Sequence, residues 1–366
     1  MGLENKAGAW RLMGCELDNG WKVVEALGWD AETGTPTDIY PGTGGNFSVS
    51  YAVERDGKRA FLKAIDFTRA MNSGNTVKAL RQLTDAYSFE AQILDICAGA
   101  RMDRVVIAID SGEVSVGPNI QDTAPYLIFE LADGDVRKKL RAVQTQLKQS
   151  FWLRAMHHAT VGLTQLHGHH ISHQDVKPSN LLSFEGDDGF KIADLGRCIN
   201  EKARGPYDHM TFSGDPNYAP PEILYGHILS DGHHRRLSND LYLLGSMIFF
   251  FVKGQGATAL LFEKMEPELR PTSLWGPWSG LYKDVLPTIQ NKFTEMLSEL
   301  REDMEDETGD ELTKAASELC NPNPKLRGHP LERTTDGTQY SLHRYVSLFD
   351  RLARVAAVKA KSTGKT

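Results

Sequence analysis

The sequence predicts an α+β protein in which strands predominate before residue 131 and helices after it. Short apolar or alternating segments favour strands at residues 21–27, 47–53, 59–65, 105–110 and 126–131. One amphipathic helix is predicted among them, at residues 77–97. Its apolar side chains recur every three or four residues, at Leu80, Leu83, Tyr87, Ile93 and Leu94. Later helical patterns lie at residues 151–170, in the apolar segment 241–252 and in an acidic segment at 291–307.

Length and composition limit the classes of function. A chain of 366 residues fits one large two-lobed domain or two domains. Its hydrophobic content of 40% and charged content of 24% are typical of globular proteins. A formal net charge of −7 does not indicate a nucleic acid or an anionic membrane as partner. The sequence has no apolar run of about eighteen residues, so no membrane span is expected.

The cysteines and the N-terminus bear on the compartment. Four cysteines (Cys15, Cys97, Cys198 and Cys320) are scattered without the spacing of a metal site. Reduced thiols account for them most simply. The first ten residues, MGLENKAGAW, contain no signal-peptide core. We therefore expect a cytoplasmic protein.

The segment 173–196, HQDVKPSNLLSFEGDDGFKIADLG, carries the strongest chemical signal. Asp175, Lys177 and Asn180 follow one another closely, and two short strands around an acidic Gly turn then lead to Asp194. A hairpin would fold Asn180 and Asp194 back towards each other, near Asp175.

These residue types suit phosphoryl transfer. Mg²⁺ prefers hard oxygen ligands, which Asn180 and Asp194 supply. Asp175 can accept or orient the proton of an attacking hydroxyl, and Lys177 can place positive charge beside the transferring phosphoryl group.

The same segment resembles the catalytic region of the eukaryotic-type (Hanks-type) serine/threonine protein kinases. The stretch from His173 to Asn180 matches their H-R-D-L-x-x-x-N motif, and Asp194-Leu195-Gly196 matches D-F-G. The resemblance covers about residues 21–352. It implies a small, mostly antiparallel β-sheet lobe with one helix at 21–131 and a larger, mainly helical lobe at 132–352. Residues 1–20 would be an extension and 353–366 a frayed basic tail.

The resemblance also implies an ATP-dependent enzyme that uses Mg²⁺, with Mn²⁺ as an alternative, and a protein substrate. Lys63, in a strand that resembles V-A-I-K, would hold the α- and β-phosphates. Glu90 takes the position of the helix glutamate that orients this lysine. The sequence leaves open which protein is the substrate and what the oligomeric state is.

A glycine-rich loop precedes Lys63 and matches the family pattern G-x-G-x-x-G-x-V imperfectly. In one register Gly42 and Gly44 are the first two glycines, and Phe47 takes the third position. In the other, Phe47 is the aromatic residue at the loop tip, and Ser48 replaces the third glycine. In both registers backbone N–H groups near Gly45 would approach the phosphates.

The segment around residue 130 resembles the hinge between the two lobes. Phe129 would limit the adenine pocket, and the backbone groups of Glu130 and Ala132 would bind the adenine edge. Asp135 has two possible roles. It could bind the ribose hydroxyls, or it could be the N-cap of the helix that begins at Val136.

Two departures from the family pattern concern regulation and substrate. Gln174 replaces the arginine that normally binds a phosphorylated residue on the activation segment, so activity is expected not to depend on phosphorylation there. Asp215 stands where serine/threonine kinases carry a threonine. It leaves open whether the enzyme phosphorylates serine and threonine or tyrosine, although Lys177-Pro178-x-Asn180 is of the serine/threonine type.

Structural features outside the catalytic segment favour a protein kinase over a small-molecule kinase. The resemblance implies that Glu222 pairs with Arg327 in a buried ion pair, because Cys320 to Arg327 resembles the family's D-P-x-x-R segment. It also implies that Asp240 matches the helix aspartate that braces the backbone of the catalytic loop. Two alternatives stay open: a small-molecule kinase on the same fold, and a catalytically weak binding scaffold. The compact architecture suggests a bacterial or phage-like member.

Overall fold

The computed structural model describes residues 6–33, 35, 48–184, 189–304, 307–335 and 338–363. The chain divides into two compact units. The first comprises Met1–Met102 and Val106–Ala132, and the second comprises Asp103–Val105 and Asp133–Thr366. The main division lies one residue from the lobe boundary that the sequence predicts.

The first unit is built on an antiparallel sheet with strand order β1-β2-β3-β5-β4 among the described residues. Its strands are β1 (Lys22–Ala26), β2 (Ser48–Arg55), β3 (Lys58–Ile65), β4 (Ala108–Ser115) and β5 (Thr123–Glu130). Two helices, α1 (Thr68–Met71) and α2 (Thr76–Gly99), connect β3 to β4. The predicted strand at 105–110 is displaced: Val105 instead forms an isolated bridge with Ile192.

Residues 6–20 pack into the first unit, in contrast to the extension expected at 1–20. Leu12 and Leu17 are buried. The segment folds back on β1, because Gly14 N–H donates to Val23 O at 3.0 Å and Val23 N–H to Cys15 O at 2.9 Å. These backbone hydrogen bonds place the buried side chains of Leu12 and Leu17 against the sheet. The apolar residues of this segment follow no regular period in the sequence.

The second unit is mainly helical. Its helices are α3 (Val136–Ala142), α4 (Lys148–Gly168), α5 (Pro221–Leu224), α6 (Gly232–Lys253), α7 (Ala257–Lys264), α8 (Tyr282–Glu302), α9 (Thr308–Leu319), α10 (Pro330–Arg333) and α11 (His343–Thr363). Its strands are β6 (Gly134–Asp135), β7 (Ile171–Ser172), β8 (Leu181–Phe184), β9 (Gly189–Ile192) and β10 (Ile199–Asn200). They form a three-stranded sheet, β6-β8-β9, and a β7–β10 pair. The predicted two-lobed architecture, a β-rich unit followed by a helical one, is confirmed.

Helix α6 lies in the core of the second unit and is buried over most of its length, as its apolar sequence predicts. In the part of the chain that the structure describes, no single helix is long and apolar enough to cross a membrane. Only α6 and α7 together, bent by 73°, meet the test of length and composition.

Two predicted segments near the C-terminus differ from the structure. The acidic helix expected at 291–307 ends at Glu302, and a separate helix, α9, begins at Thr308. Residues 353–363 of the expected frayed tail belong instead to α11, where Ala353, Ala356 and Ala360 are buried. Their helical spacing forms an apolar face, and α11 packs against α4.

Candidate active site

In the first unit, Lys63 and Glu90 form the ion pair that the sequence predicts. Lys63 lies on β3 between Ser50 of β2 and Leu127 of β5, so its backbone is fixed by strands on both sides. Its Nζ donates to Glu90 Oε1 at 2.8 Å and to Oε2 at 3.0 Å. The side chains are 20% and 8% exposed. The pair is therefore largely shielded from water.

The other residues predicted to bind the cofactor in the first unit are described in part. Gly42, Gly44 and Gly45 lie outside the described residues, so the register of the glycine loop stays a prediction. Ser48 is the first residue of β2 and pairs with Ile65. Glu130 ends β5 opposite Ala60, and Ala132 lies two residues further on, outside any helix or strand. Phe129 is buried on β5.

In the second unit, the predicted hairpin is formed by β8 and β9, with Leu181 opposite Ile192. Its acidic turn, residues 185–188, lies outside the described residues. Asn180 immediately precedes β8, and the backbone N–H of Ala193, just after β9, donates to Asn180 O at 2.8 Å. The hairpin therefore brings the two ends of the motif together, as expected.

Asp175 is at the centre of this group and is buried. Asn180 Nδ2 donates to its backbone oxygen at 2.9 Å and to Oδ2 at 3.0 Å. Lys177 Nζ lies 2.9 Å from Oδ2. These contacts hold the carboxylate in one orientation beside a positive charge.

Asp215 joins the same group. Its backbone N–H donates to Asp175 Oδ1 at 2.8 Å, and its carboxylate lies 3.5 Å from Lys177 Nζ. Burial alone would lower the pKa of Lys177, but the carboxylates of Asp175, Asp215 and Asp194 outweigh it and raise that pKa. Lys177 is therefore kept protonated, although its side chain is only 18% exposed.

The oxygen donors fit a hard divalent cation. Because Asn180 turns its Nδ2 towards Asp175, its Oδ1 lies on the other side of the amide and accepts from Ser179 Oγ at 3.3 Å. Asp194 is exposed and has a left-handed backbone, with φ at 63°. No cluster of three or more His, Cys, Asp or Glu side chains that could hold a metal occurs among the residues described. Magnesium commonly takes one or two protein ligands and completes its shell with phosphates and water, and this pair matches that requirement.

The catalytic loop is braced from behind by Asp240 of α6, as predicted. Its carboxylate accepts the backbone N–H of His173 at 2.8 Å and of Gln174 at 2.7 Å. His173 Nδ1 accepts from Asp175 N–H at 3.2 Å, so its Nε2 donates to Ala193 O at 3.1 Å. The histidine thereby links the loop to the end of β9. Gln174 has an uncommon positive φ of 66°, which this bracing supports.

The structure also shows His167 against Asp240, with Nε2 2.8 Å from Oδ2. This contact was not predicted from the sequence. The sequence feature that could have indicated it is the position of His167, in the last turn of the helix that leads to the catalytic loop.

Asp135 is the N-cap of α3. Its Oδ1 accepts from Arg137 N–H at 2.8 Å and Lys138 N–H at 3.2 Å, and Arg137 Nη2 donates to Oδ2 at 2.8 Å. Burial would raise the pKa of Asp135, but the side chain of Arg137 and the two backbone N–H groups lower it. Of its two predicted roles, the N-cap is the one the structure shows.

The predicted pair of Glu222 and Arg327 is confirmed and fully buried. Arg327 Nη1 and Nη2 donate to the two carboxylate oxygens of Glu222 at 2.8 and 2.9 Å. The remaining donors of Arg327 bind Ser238 and the backbone oxygen of Asn321. Every N–H direction of the guanidinium is thus used within the second unit.

Comparisons with known proteins agree with this geometry. A family model described as the protein kinase domain matches residues 42–328, well over half of the chain. Among curated proteins, the serine/threonine-protein kinase PLK4 of Xenopus laevis is 33% identical over 131 residues, which is 36% of this chain and 13% of that protein. PLK4 of Drosophila virilis is 36% identical over 135 residues, 36% of this chain and 16% of that protein.

PLK4 of Drosophila persimilis is 29% identical over 218 residues, 59% of this chain and 25% of that protein. The chain thus spans between 13% and 25% of the length of these curated relatives. The expectation of a bacterial or phage-like origin has no support among them.

Proposed function

The chain belongs to the protein kinase domain family, and we propose that it is an ATP-dependent kinase of protein serine and threonine hydroxyls, its own included. The observation that carries the proposal is the contact network of Asp175, Lys177 and Asn180, with Asp194 at the end of the adjoining hairpin. The names of the relatives and the segment Lys177-Pro178-x-Asn180 support serine and threonine as acceptors.

In the first unit, Lys63 would bind the α- and β-phosphates of ATP, and Glu90 would hold its ammonium group in place. The backbone of the glycine loop, Gly42 to Ser48, would cover the phosphates. The backbone groups of Glu130 and Ala132 would bind the adenine edge. These contacts would fix the nucleotide.

In the second unit, Asp175 would orient the substrate hydroxyl and accept its proton as the oxygen attacks the γ-phosphorus and the bond to ADP breaks. Lys177, kept charged by its carboxylate neighbours, would offset the negative charge on the phosphoryl oxygens. Asn180 and Asp194 would hold Mg²⁺, or Mn²⁺ in its place. The bound metal supplies electrostatic stabilisation of the phosphates.

Phosphorylation with labelled ATP and Mg²⁺ tests the proposal. The wild type is expected to label serine and threonine in itself and in a general protein substrate. Asp175→Asn keeps the shape of the side chain and should lower the rate about 10³-fold. The matched control is Asp303→Asn, which neutralises a surface carboxylate in the same unit. The Asp303 side chain is 46% exposed, and this substitution should leave the rate unchanged.

Two outcomes would overturn the proposal and favour the alternatives. Mg-ATP binding without any protein labelling, but with phosphate transfer to a sugar or an antibiotic, would identify a small-molecule kinase. Absence of Mg-ATP binding in calorimetry would favour a binding scaffold. Rates measured with Mg²⁺, Mn²⁺ and Ca²⁺ in turn would identify the metal.

We extend the proposal to a cytoplasmic location. The cysteines are free thiols, and three of the four are buried, which suits a reducing compartment. Cell fractionation tests this, and recovery of the full-length protein in a secreted or organellar fraction would contradict it.

A further inference from the structure

We propose that Trp10 is a positioning residue for nucleotide binding. Its indole fixes the junction between the end of β3 and the start of α1, which we call the β3–α1 corner. The position of this corner determines where the helix that carries Glu90 meets Lys63. The inference rests on the proposed function, because it concerns the same ATP-binding pair. It assigns a role in that function to the N-terminal segment (residues 6–21), whose sequence has no catalytic motif.

The corner is held by one carboxylate. Asp66 directly follows β3, three residues after Lys63. Trp10 Nε1 donates to its Oδ2 at 2.8 Å. Its Oδ1 accepts the backbone N–H of Thr68, the first residue of α1, at 2.9 Å. Asp66 therefore joins the N-terminal segment, the end of the lysine strand and the start of α1.

From this corner a short connection leads to the glutamate helix. Thr76, at the start of α2, donates its Oγ1 to Met71 O and Ser73 O, both at 3.3 Å. Asn75 caps α2 by accepting from Lys78 N–H at 3.1 Å. These hydrogen bonds tie the start of α2 to the residues that follow α1, and through them a shift at Asp66 would reach α2 and hence Glu90.

Trp10 is itself held rigidly. The carbonyl oxygen of Ala9 accepts from Tyr51 Oη at 2.7 Å, and the Trp10 ring packs edge-on against Trp29 with centroids 5.1 Å apart. Any side chain at position 8 would overlap the carbonyl oxygen of Asp122, so Gly8 permits the close approach of the segment to the sheet. The hydrogen bond to Asp66 therefore comes from a fixed point.

The same segment supplies a matched control. Trp21 Nε1 donates to Asp110 Oδ2 at 3.1 Å, another indole–carboxylate bond in the first unit. Asp110 lies on β4, at the edge of the sheet, and β4 has no residue proposed to bind the nucleotide. Trp21→Phe removes a bond of the same kind without touching the β3–α1 corner.

The experiment compares full-length wild type, Trp10→Phe and Trp21→Phe in three measurements: the KM for ATP, kcat at saturating ATP, and the Kd of Mg-ATP by calorimetry. Loss of one such hydrogen bond corresponds to about a fivefold change. Trp10→Phe is expected to raise KM and Kd about fivefold with kcat within about twofold. Trp21→Phe should leave all three unchanged, although both variants lower the melting temperature.

Asp66→Asn tests the same link from the acceptor's end and keeps the aromatic packing if Trp10→Phe fails to fold. The double variant should be no worse than either single one, since both remove the same bond.

Equal KM values in Trp10→Phe and the wild type, or equal increases in both tryptophan variants, would overturn the inference alone. A wild type that binds no Mg-ATP would overturn the proposed function, and the inference with it.

Discussion

The pair Lys63–Glu90 in the first unit and the pair Arg327–Glu222 in the second are the same interaction in different surroundings. The side chains of Lys63 and Glu90 are 20% and 8% exposed, whereas those of Arg327 and Glu222 are 0% and 2% exposed. The first pair joins a strand to a helix, and the second joins segments 105 residues apart in sequence.

The difference in burial indicates different roles: the Lys63–Glu90 pair positions a charge for a ligand, and the Arg327–Glu222 pair stabilises the fold. A buried ion pair whose donors are all used cannot offer charge to a ligand, and removing one partner leaves an uncompensated charge in the core. A partly exposed lysine can move its ammonium group towards a phosphate at small cost. We therefore expect the second pair to carry stability and the first to carry activity.

The largest expected effect is on stability. Arg327→Ala should lower the free energy of unfolding by about 3–5 kcal/mol, because Glu222 is then buried without a partner. Chemical denaturation measures this. Arg344→Ala, which removes an arginine 47% exposed from its pair with Glu332, is the control and should cost at most about 1 kcal/mol. Similar losses in both variants would break the comparison.

For the Lys63–Glu90 pair, we expect a large loss of activity and a smaller loss of stability. Lys63→Met should lower kcat/KM for ATP at least about 10²-fold, since phosphate contacts made through the ammonium group are lost. The loss of unfolding free energy should be smaller than in Arg327→Ala, because the Lys63 side chain keeps part of its exposure and its pair is less buried than the Arg327 pair. Lys58→Met, on the exposed end of the same strand, should change neither. A Lys63→Met protein as unstable as Arg327→Ala would refute the distinction.

His158 sharpens the comparison, because it is buried and the nearby carboxylate of Asp103 does not outweigh its burial and the neighbouring cations. Its Nδ1 accepts from Phe190 N–H at 3.0 Å, and burial, helped by Arg104, lowers its pKa to about 3. The unfolded chain, with a histidine pKa of about 6.5, binds the proton first, so stability is full above that pH and falls as pH drops towards 3. Between pH 7 and 5.5 this group should cost the protein about 1 kcal/mol.

Denaturation curves of wild type and His158→Gln at the two pH values measure this contribution. Glutamine can accept the same hydrogen bond but does not titrate, so the variant should lose less stability than the wild type on acidification. Parallel losses in both proteins would show that other groups dominate the pH dependence.

The smallest effect is expected from changes in the activation segment, residues 194–222, which the residue at position 174 would have to bind once it is phosphorylated. Gln174 is fully buried, donates through Nε2 to Arg236 O at 2.8 Å and accepts through Oε1 from Asn239 at 3.1 Å. Neutral and fully bonded, it offers no cation to a phosphate. Ser213 is buried and donates to Arg197 O at 2.7 Å. Thr211→Ala and Ser213→Ala, alone or together, should keep activity within about twofold. Abolished activity in steady-state assays would contradict this.

Much of the fold was predictable because the signals are local. The alternation of apolar residues around Lys63 and the helical period before Glu90 placed both elements within a few residues of their observed bounds. The contact between Asp175 and Asn180 could be predicted from the segment alone, since the two residues are only five positions apart. The N-terminal residues gave no such signal, because Leu12 and Leu17 are buried through contacts with strands far along the chain.

The local sequence pattern was enough to predict a β-rich first part and a helical second part, the hairpin that ends at Asp194 and the residues of the phosphoryl-transfer motif, since each depends on neighbours along the chain. That Asp135 caps a helix, that α11 extends into the predicted tail and that Trp10 reaches Asp66 became visible only in the folded chain. These depend on burial and on hydrogen bonds between distant segments, and the free energy of such contacts is fixed only when the chain has packed.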